Sequence, residues 1–278
     1  MSRFGLLIDV RKCSGCHNCF LACRDEHYGN DYPPYSAAQP LDGQMWMQMK
    51  EIERGHYPRP KLSYIPTPCM QCEDAPCLAA AMDGAVYRRD DGIVVIDPEK
   101  AKGQQQIVSA CPYRVISWNS DLDIPQKCTG CAHRLDEGEP QPRCVESCPT
   151  GALVFGDLDD PDSEVAELFA TLPIEAFHPE YGTAPLVRYV GIPKRLVAGE
   201  VVLEGKEDAC AEGVKVTLEG EGVRMETGSD TFGDFEFEGL VNSGAYRISI
   251  AHAGYVPRRI DVRTHTDVDL GEIVLTTS

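Results

Sequence analysis

Cys13-Ser14-Gly15-Cys16-His17-Asn18-Cys19-Phe20-Leu21-Ala22-Cys23 is the stretch that decides the fold. Its spacing is C-x2-C-x2-C-x3-C. Three thiolates so spaced can converge on one inorganic centre, while the fourth, carried onward by a following helix, serves another. Two related groups follow: Cys69-x2-Cys72-x4-Cys77, with Cys111-Pro112 standing apart, and Cys128-x2-Cys131-x12-Cys144-x3-Cys148-Pro149. Twelve of the 13 cysteines therefore lie in the first 148 residues, and Cys210 is alone.

The first run has the spacing with which bacterial ferredoxins hold cubane [4Fe-4S] clusters. Zinc competes, since C-x2-C pairs also build tetrahedral thiolate sites, but zinc ribbons need neither the third cysteine at x2 nor the fourth at x3. A disulfide framework runs against a cytoplasmic setting. The 278 residues predict about two domains. With 42% hydrophobic and 25% charged residues the composition is globular. A formal charge of −18 disfavours a nucleic-acid partner. No apolar run approaches the roughly 20 residues of a membrane span. The amino terminus lacks the three-part layout of a signal peptide, so the expected location is cytoplasmic. Export of the folded subunit on a partner with a twin-arginine signal stays open.

Over about residues 1–155 the chain resembles the four-cluster electron-transfer subunits that accompany molybdenum or tungsten bis-pterin enzymes of the dimethyl sulfoxide reductase superfamily. The resemblance implies three ligand sets: Cys13, Cys16, Cys19 and Cys148; Cys23, Cys128, Cys131 and Cys144; and Cys69, Cys72, Cys77 and Cys111. The family's fourth cluster would need a cysteine at Ala81 and three more before Cys111, where Lys100 to Ala110 has none. The four missing ligands all belong to that cluster. Three clusters resemble more narrowly the small subunit of pyrogallol-phloroglucinol transhydroxylase and the catechol dehydroxylases. Asn18-Cys19-Phe20, Asp25-Glu26-His27, Tyr57-Pro58-Arg59, Asp91-Gly92-Ile93-Val94 and Gln126-Lys127-Cys128-Thr129 carry this match, which continues to the carboxyl terminus.

The expected fold class is α+β: a tandem ferredoxin-like domain over 1–155, a linker with one helix over 156–195, and an all-β sandwich over 196–278. Between Arg24 and Pro68, aromatics and prolines without periodicity predict a long ordered loop, either a cover over the clusters or a docking surface. Gly92 to Asp97 predicts a strand, and Asp162 to Leu172 an amphipathic helix. Seven candidate strands follow: Glu200 to Leu203, Val214 to Leu218, Val223 to Glu226, Phe235 to Phe237, Tyr246 to Ile250, Arg259 to Val262 and Val268 to Leu275. They resemble carboxypeptidase-regulatory or Cna-B-like modules, which are usually noncatalytic. Cys210, flanked by Glu207, Asp208 and Glu212, has the wrong electrostatics for a reactive thiolate. His17 reads as a cluster neighbour. Lys12 and Lys127 each precede a ligand cysteine and either offset cluster charge or solvate a surface turn.

The resemblance implies an electron conduit for a large catalytic subunit, which alone would carry the molybdenum or tungsten bis-pterin, acting on polyhydroxylated aromatics such as pyrogallol or a catechol. The set of Cys13, Cys16, Cys19 and Cys148 would lie nearest that metal, and a quinol-oxidising membrane subunit is not expected. No residue of this chain is assigned to catalysis. The alternatives are an electron-transfer subunit for another superfamily member, such as an oxyanion reductase, or a free-standing polyferredoxin.

Overall fold

The computed structural model describes residues 2–55, 60–206 and 210–278. Tyr57-Pro58-Arg59, and the Cys210 neighbours Glu207 and Asp208, lie outside the described residues. The chain divides into two compact units, Met1–Ile52 with Ser63–Ile192, and Glu53–Leu62 with Pro193–Ser278.

In chain order the elements up to Ile192 are β1 (Phe4–Asp9), α1 (Asn18–His27), β2 (Gln48–Arg54), β3 (Lys61–Thr67), α2 (Pro76–Ala80), β4 (Val86–Arg88), β5 (Val94–Ile96), α3 (Gln106–Ser109), β6 (Ser117–Asn119), β7 (Ile124–Gln126), α4 (Ala132–Asp136), α5 (Arg143–Glu146), β8 (Leu153–Asp157), α6 (Glu164–Thr171) and β9 (Val187–Val190). β1 is the middle strand of three. It runs antiparallel to β8, with Ile8 opposite Leu153, and parallel to β9, with Ile8 opposite Tyr189. Ile8 and Tyr189 are fully buried in the core that surrounds the cysteine runs. α6 covers the other face of this sheet through Val165, which packs with Leu7 and Val190.

Two expectations change here. The stretch 156–195 carries the helix α6, but it also supplies β9, so it is built into the first unit rather than linking two. A four-residue strand offers too short an apolar run to declare itself. The aromatic region between Arg24 and Pro68 is not loop throughout, because β2 and β3 pair as a two-stranded sheet. Most of β2 is half-buried rather than cleanly alternating, which removes the period-two signal.

The second unit holds β10 (Arg195–Leu203), β11 (Lys215–Gly220), β12 (Val223–Gly228), β13 (Asp234–Leu240), β14 (Ala245–Ala251), β15 (Arg258–Arg263) and β16 (Val268–Leu275), one for each expected segment. They form sheets of order β13-β10-β16 and β12-β11-β14-β15. Val197, Val201, Phe235, Phe237 and Ile273 of the first sheet share one core with Val216, Leu218, Ile248 and Ile250 of the second. Burying each such side chain stabilises the unit by about 1.5–3 kcal/mol. Residues 53–62 belong to this unit. Arg54 Nη1 donates to the Lys194 carbonyl at 2.5 Å, the Gly55 amide donates to Asp267 Oδ2 at 3.2 Å, and Lys61 pairs with Glu236 and Glu238. The architecture is α+β, and no helix among the described residues is long and apolar enough to cross a membrane.

Candidate metal centres

All 13 cysteines are free thiols. Twelve of them gather in three adjoining groups, which border one another at Cys19, a neighbour of Cys23 and Cys144, and at Cys69, a neighbour of Cys128. Cys13 has Cys148 and Cys16 as its charged neighbours, and Cys19 has Cys13, Cys148 and Cys16. Cys23 faces Cys128 and Cys131, while Cys144 faces Cys131, Cys128 and Cys23. Cys72 faces Cys69, Cys77 and Cys111. Residues up to 135 apart in sequence, Cys13 and Cys148, are thereby near one another.

Local backbone geometry explains how each run turns back on itself. In the C-x2-C loops that begin at Cys13, Cys69 and Cys128 the residue before the second cysteine is left-handed: Gly15 at φ 68°, Gln71 at 48° and Gly130 at 64°. This turn aims amide hydrogens at the preceding sulfur, and the Gly130 amide lies 3.4 Å from Cys128 Sγ. Gly15 is confined further, since a Cβ there would stand 2.6 Å from the Tyr64 ring. Gln71 takes the same conformation without being glycine and holds it through its Oε1, which accepts from the Val94 amide at 2.8 Å.

Burial pushes the thiols of Cys19, Cys72 and Cys131 up to about 12, and the neighbouring sulfurs add to the effect. Amide hydrogens oppose this, from Phe20 at Cys19 and from Val115, Tyr113 and Arg114 at Cys111. At Cys148 burial also disfavours the thiolate, yet the hydroxyl of Thr150 and the amides of Leu153, Thr150 and Ala152 outweigh it and bring the thiol below its usual value. Four clustered thiols that cannot ionise together, ringed by amide donors, are a donor set for a cationic iron centre, whose binding displaces the protons.

The residues fit cubanes. Cys69, Cys72, Cys77 and Cys111 line one pocket, whose other walls include Met70, Val94, Val115 and Ile116. A second pocket is lined by Cys69, Cys128 and Cys144 with Phe4, Leu6, Ile93 and Phe155. Among the described residues no three His, Cys, Asp or Glu side chains are placed to hold a single metal ion. Thiolates of a cubane bind different irons, so they stand wider apart than the ligands of one ion.

The places of the missing family ligands are filled by protein. Ala81 ends α2 and packs with Ala85, Ala101 and Ile107. Buried Gln104 accepts from the Met82 amide at 2.9 Å and donates to the Lys100 carbonyl at 2.8 Å. Lys12 is exposed, whereas Lys127 is 2% exposed, which removes the surface-turn reading for Lys127. Burial disfavours the Lys127 ammonium, but the sulfurs of Cys69, Cys77 and Cys128 prevail and raise its pKa. His17 caps no amide and lies 3.8 Å from Glu51. Cys210 is exposed and belongs to the second unit.

One neighbour of the thiols carries no signal in the cysteine spacing. His27 Nε2 lies 3.9 Å from Cys131 Sγ. Burial depresses His27 to about 3, so the imidazole is neutral and can donate to sulfur. Its ring packs on Trp46, Tyr32 and His133. Only its place one helical turn after Cys23 could have pointed to it.

Residues 60–158 match the family model of the 4Fe-4S dicluster domain. The chain is 40% identical to the small subunit of pyrogallol hydroxytransferase from Pelobacter acidigallici, over 99% of this chain and 100% of that protein. It is 32% identical to the arsenate respiratory reductase iron-sulfur subunit of Shewanella sp. strain ANA-3, over 68% of this chain and 96% of the relative. A tetrathionate reductase subunit from Salmonella typhimurium is 34% identical over 70% of this chain and 75% of its own length. With these relatives and its grouped thiols, the chain belongs to the family of iron-sulfur electron-transfer subunits that includes the small subunit of pyrogallol hydroxytransferase.

Proposed function

We propose that the chain holds three [4Fe-4S] clusters, on Cys13, Cys16, Cys19 and Cys148, on Cys23, Cys128, Cys131 and Cys144, and on Cys69, Cys72, Cys77 and Cys111. The observation that supports this reading is the gathering of twelve thiols, distant in sequence, into three adjoining groups. Each cubane, when bound, takes up or gives up one electron. The protein's part is to place, bury and electrostatically tune the three centres. α1 joins the first two sets, because it carries both Cys19 and Cys23. The second and third sets adjoin at Cys69 and Cys128, which line one pocket with Cys144.

The partner is a molybdenum or tungsten bis-pterin catalytic subunit acting on a polyhydroxylated aromatic. The match to the Pelobacter protein extends through the second unit, whereas the arsenate and tetrathionate reductase subunits cover about two thirds of the chain. The partner docks beside the first set. Leu21, Tyr28, Leu41 and Met45, on α1 and in the chain that follows it, are exposed, and Arg24 joins this stretch by stacking on Tyr28 and donating to the carbonyls of Pro40, Leu41 and Gln44. The second unit, a Cna-B-like sandwich, serves as scaffold or subunit contact. The complex works in the cytoplasm without a membrane subunit.

Anaerobic copurification tests this. A tagged chain should bring down a large pterin-bearing subunit, and the complex should convert pyrogallol or a catechol. A chain that purifies alone and exchanges electrons with several unrelated enzymes would instead be a polyferredoxin.

A further inference from the structure

Lys127 occupies the place where two of the thiol neighbourhoods meet. Its Nζ donates to the Val94 carbonyl and to the Cys128 carbonyl at 3.0 Å, and Val94 lines the pocket that holds Cys69, Cys72, Cys77 and Cys111. Its charged neighbours are Cys69 and Cys77 of one set and Cys128 of the other. Among the described residues no carboxylate pairs with it. A buried ammonium without a counter-charge is strongly destabilising, so the sulfur-bound centres are what it must answer.

We propose that Lys127 makes reduction of two centres easier together, the one on Cys23, Cys128, Cys131 and Cys144 and the one on Cys69, Cys72, Cys77 and Cys111, while leaving the centre on Cys13, Cys16, Cys19 and Cys148 unaffected. This rests on the ligand sets given above. One-electron reduction adds a negative charge to a centre, and a fixed positive charge against two of its sulfurs, or one, stabilises that added charge. The ammonium keeps its protons throughout, and no bond to it is made or broken. Lys127 is thus a positioning residue, one that sets relative potentials.

The test is a potentiometric titration of the holo-protein followed by paramagnetic resonance, on the wild type, Lys127→Gln and Lys127→Arg. Lys127→Gln should make reduction of both centres at least tenfold less favourable, about 59 mV each for a one-electron couple. The third centre should stay put, and Lys127→Arg should restore both. A peg that only holds Val94 in place predicts intact signals with unchanged potentials, which would overturn the proposal, as would equal shifts at all three centres. Should Lys127→Gln fail to assemble, wild-type protein carrying [ε-15N]lysine replaces it. Pulsed resonance should then detect nitrogen coupling on both signals, and its absence on either overturns the proposal. Fewer than three cubane signals in the wild type would count against the ligand sets and not against Lys127.

Discussion

Cys19 and Cys23 stand one turn apart on α1, both buried, and face different partners: Cys19 looks to Cys13, Cys16 and Cys148, Cys23 to Cys128 and Cys131. Residues four apart share a helix face, so one short helix fixes the spacing of the two thiols. Cys144 and Cys148, also four apart, return the connection from the other side, with α5 packed on α1.

Exchange of single cysteines should therefore separate the centres. Cys19→Ser should weaken the first centre and Cys23→Ser the second, although the two residues are neighbours on one helix. Cys111→Ser should affect only the third, and Cys210→Ser none. Resonance spectra of the four reduced variants read this directly. Loss of one and the same signal in Cys19→Ser and Cys23→Ser would contradict the wiring.

Gly15→Ala should be costly. Gly15 has φ 68°, and the new methyl would lie 2.6 Å from Tyr64 ring carbons. A left-handed alanine is destabilising by about 1–3 kcal/mol, with the steric clash in addition. Thermal unfolding of the variant should come several degrees lower, and the first centre should be lost soonest on exposure to air. A variant indistinguishable from wild type would show that the loop does not need this turn.

Gln104→Ala should destabilise without touching iron content. Removal of the side chain leaves the Met82 amide and the Lys100 carbonyl without their partner, at about 1–3 kcal/mol. Denaturant titration should show the loss while iron per chain stays constant. A fall in iron would mean that Gln104 supports a ligand set rather than closing the chain on itself.

How much of the fold and of the metal sites is legible in the sequence follows from distance along the chain. Ligands of a cubane come in local runs, so Cys13, Cys16 and Cys19 announce themselves through spacing. The union of Cys19 with Cys148 does not, and only the family resemblance implies it. In the second unit, β11 and β14 alternate cleanly because one face is buried, and Val216, Leu218, Ile248 and Ile250 mark it. β2 and β9 escape a sequence reading, the first for want of alternation and the second for shortness. Residues 53–62 give no sign that they belong with the carboxyl-terminal strands, since Arg54 and Lys61 find their partners more than 130 residues away. Lys127 can be placed beside a ligand by sequence but not buried there, because burial depends on Val94 and Cys69.

The iron-free protein should respond to alkali. Burial raises Cys19, Cys72 and Cys131 to about 12 from an unfolded value of 9.0. A thiol with a raised folded pKa favours the folded state in full below pH 9.0 and loses that contribution as the pH climbs towards 12. Unfolding of the apo-protein should become easier across that window. Iron uptake has the opposite dependence, since each ligand must shed a proton, and affinity should rise between about pH 7 and 9 with proton release to solvent. A stability flat across the alkaline window would show that the thiols are not buried as described.

The most direct measurement is the iron and acid-labile sulfide content of the anaerobically purified complex, corrected for metal in the partner. Three cubanes predict about twelve of each per chain. About sixteen of each, or zinc without sulfide, would contradict the account.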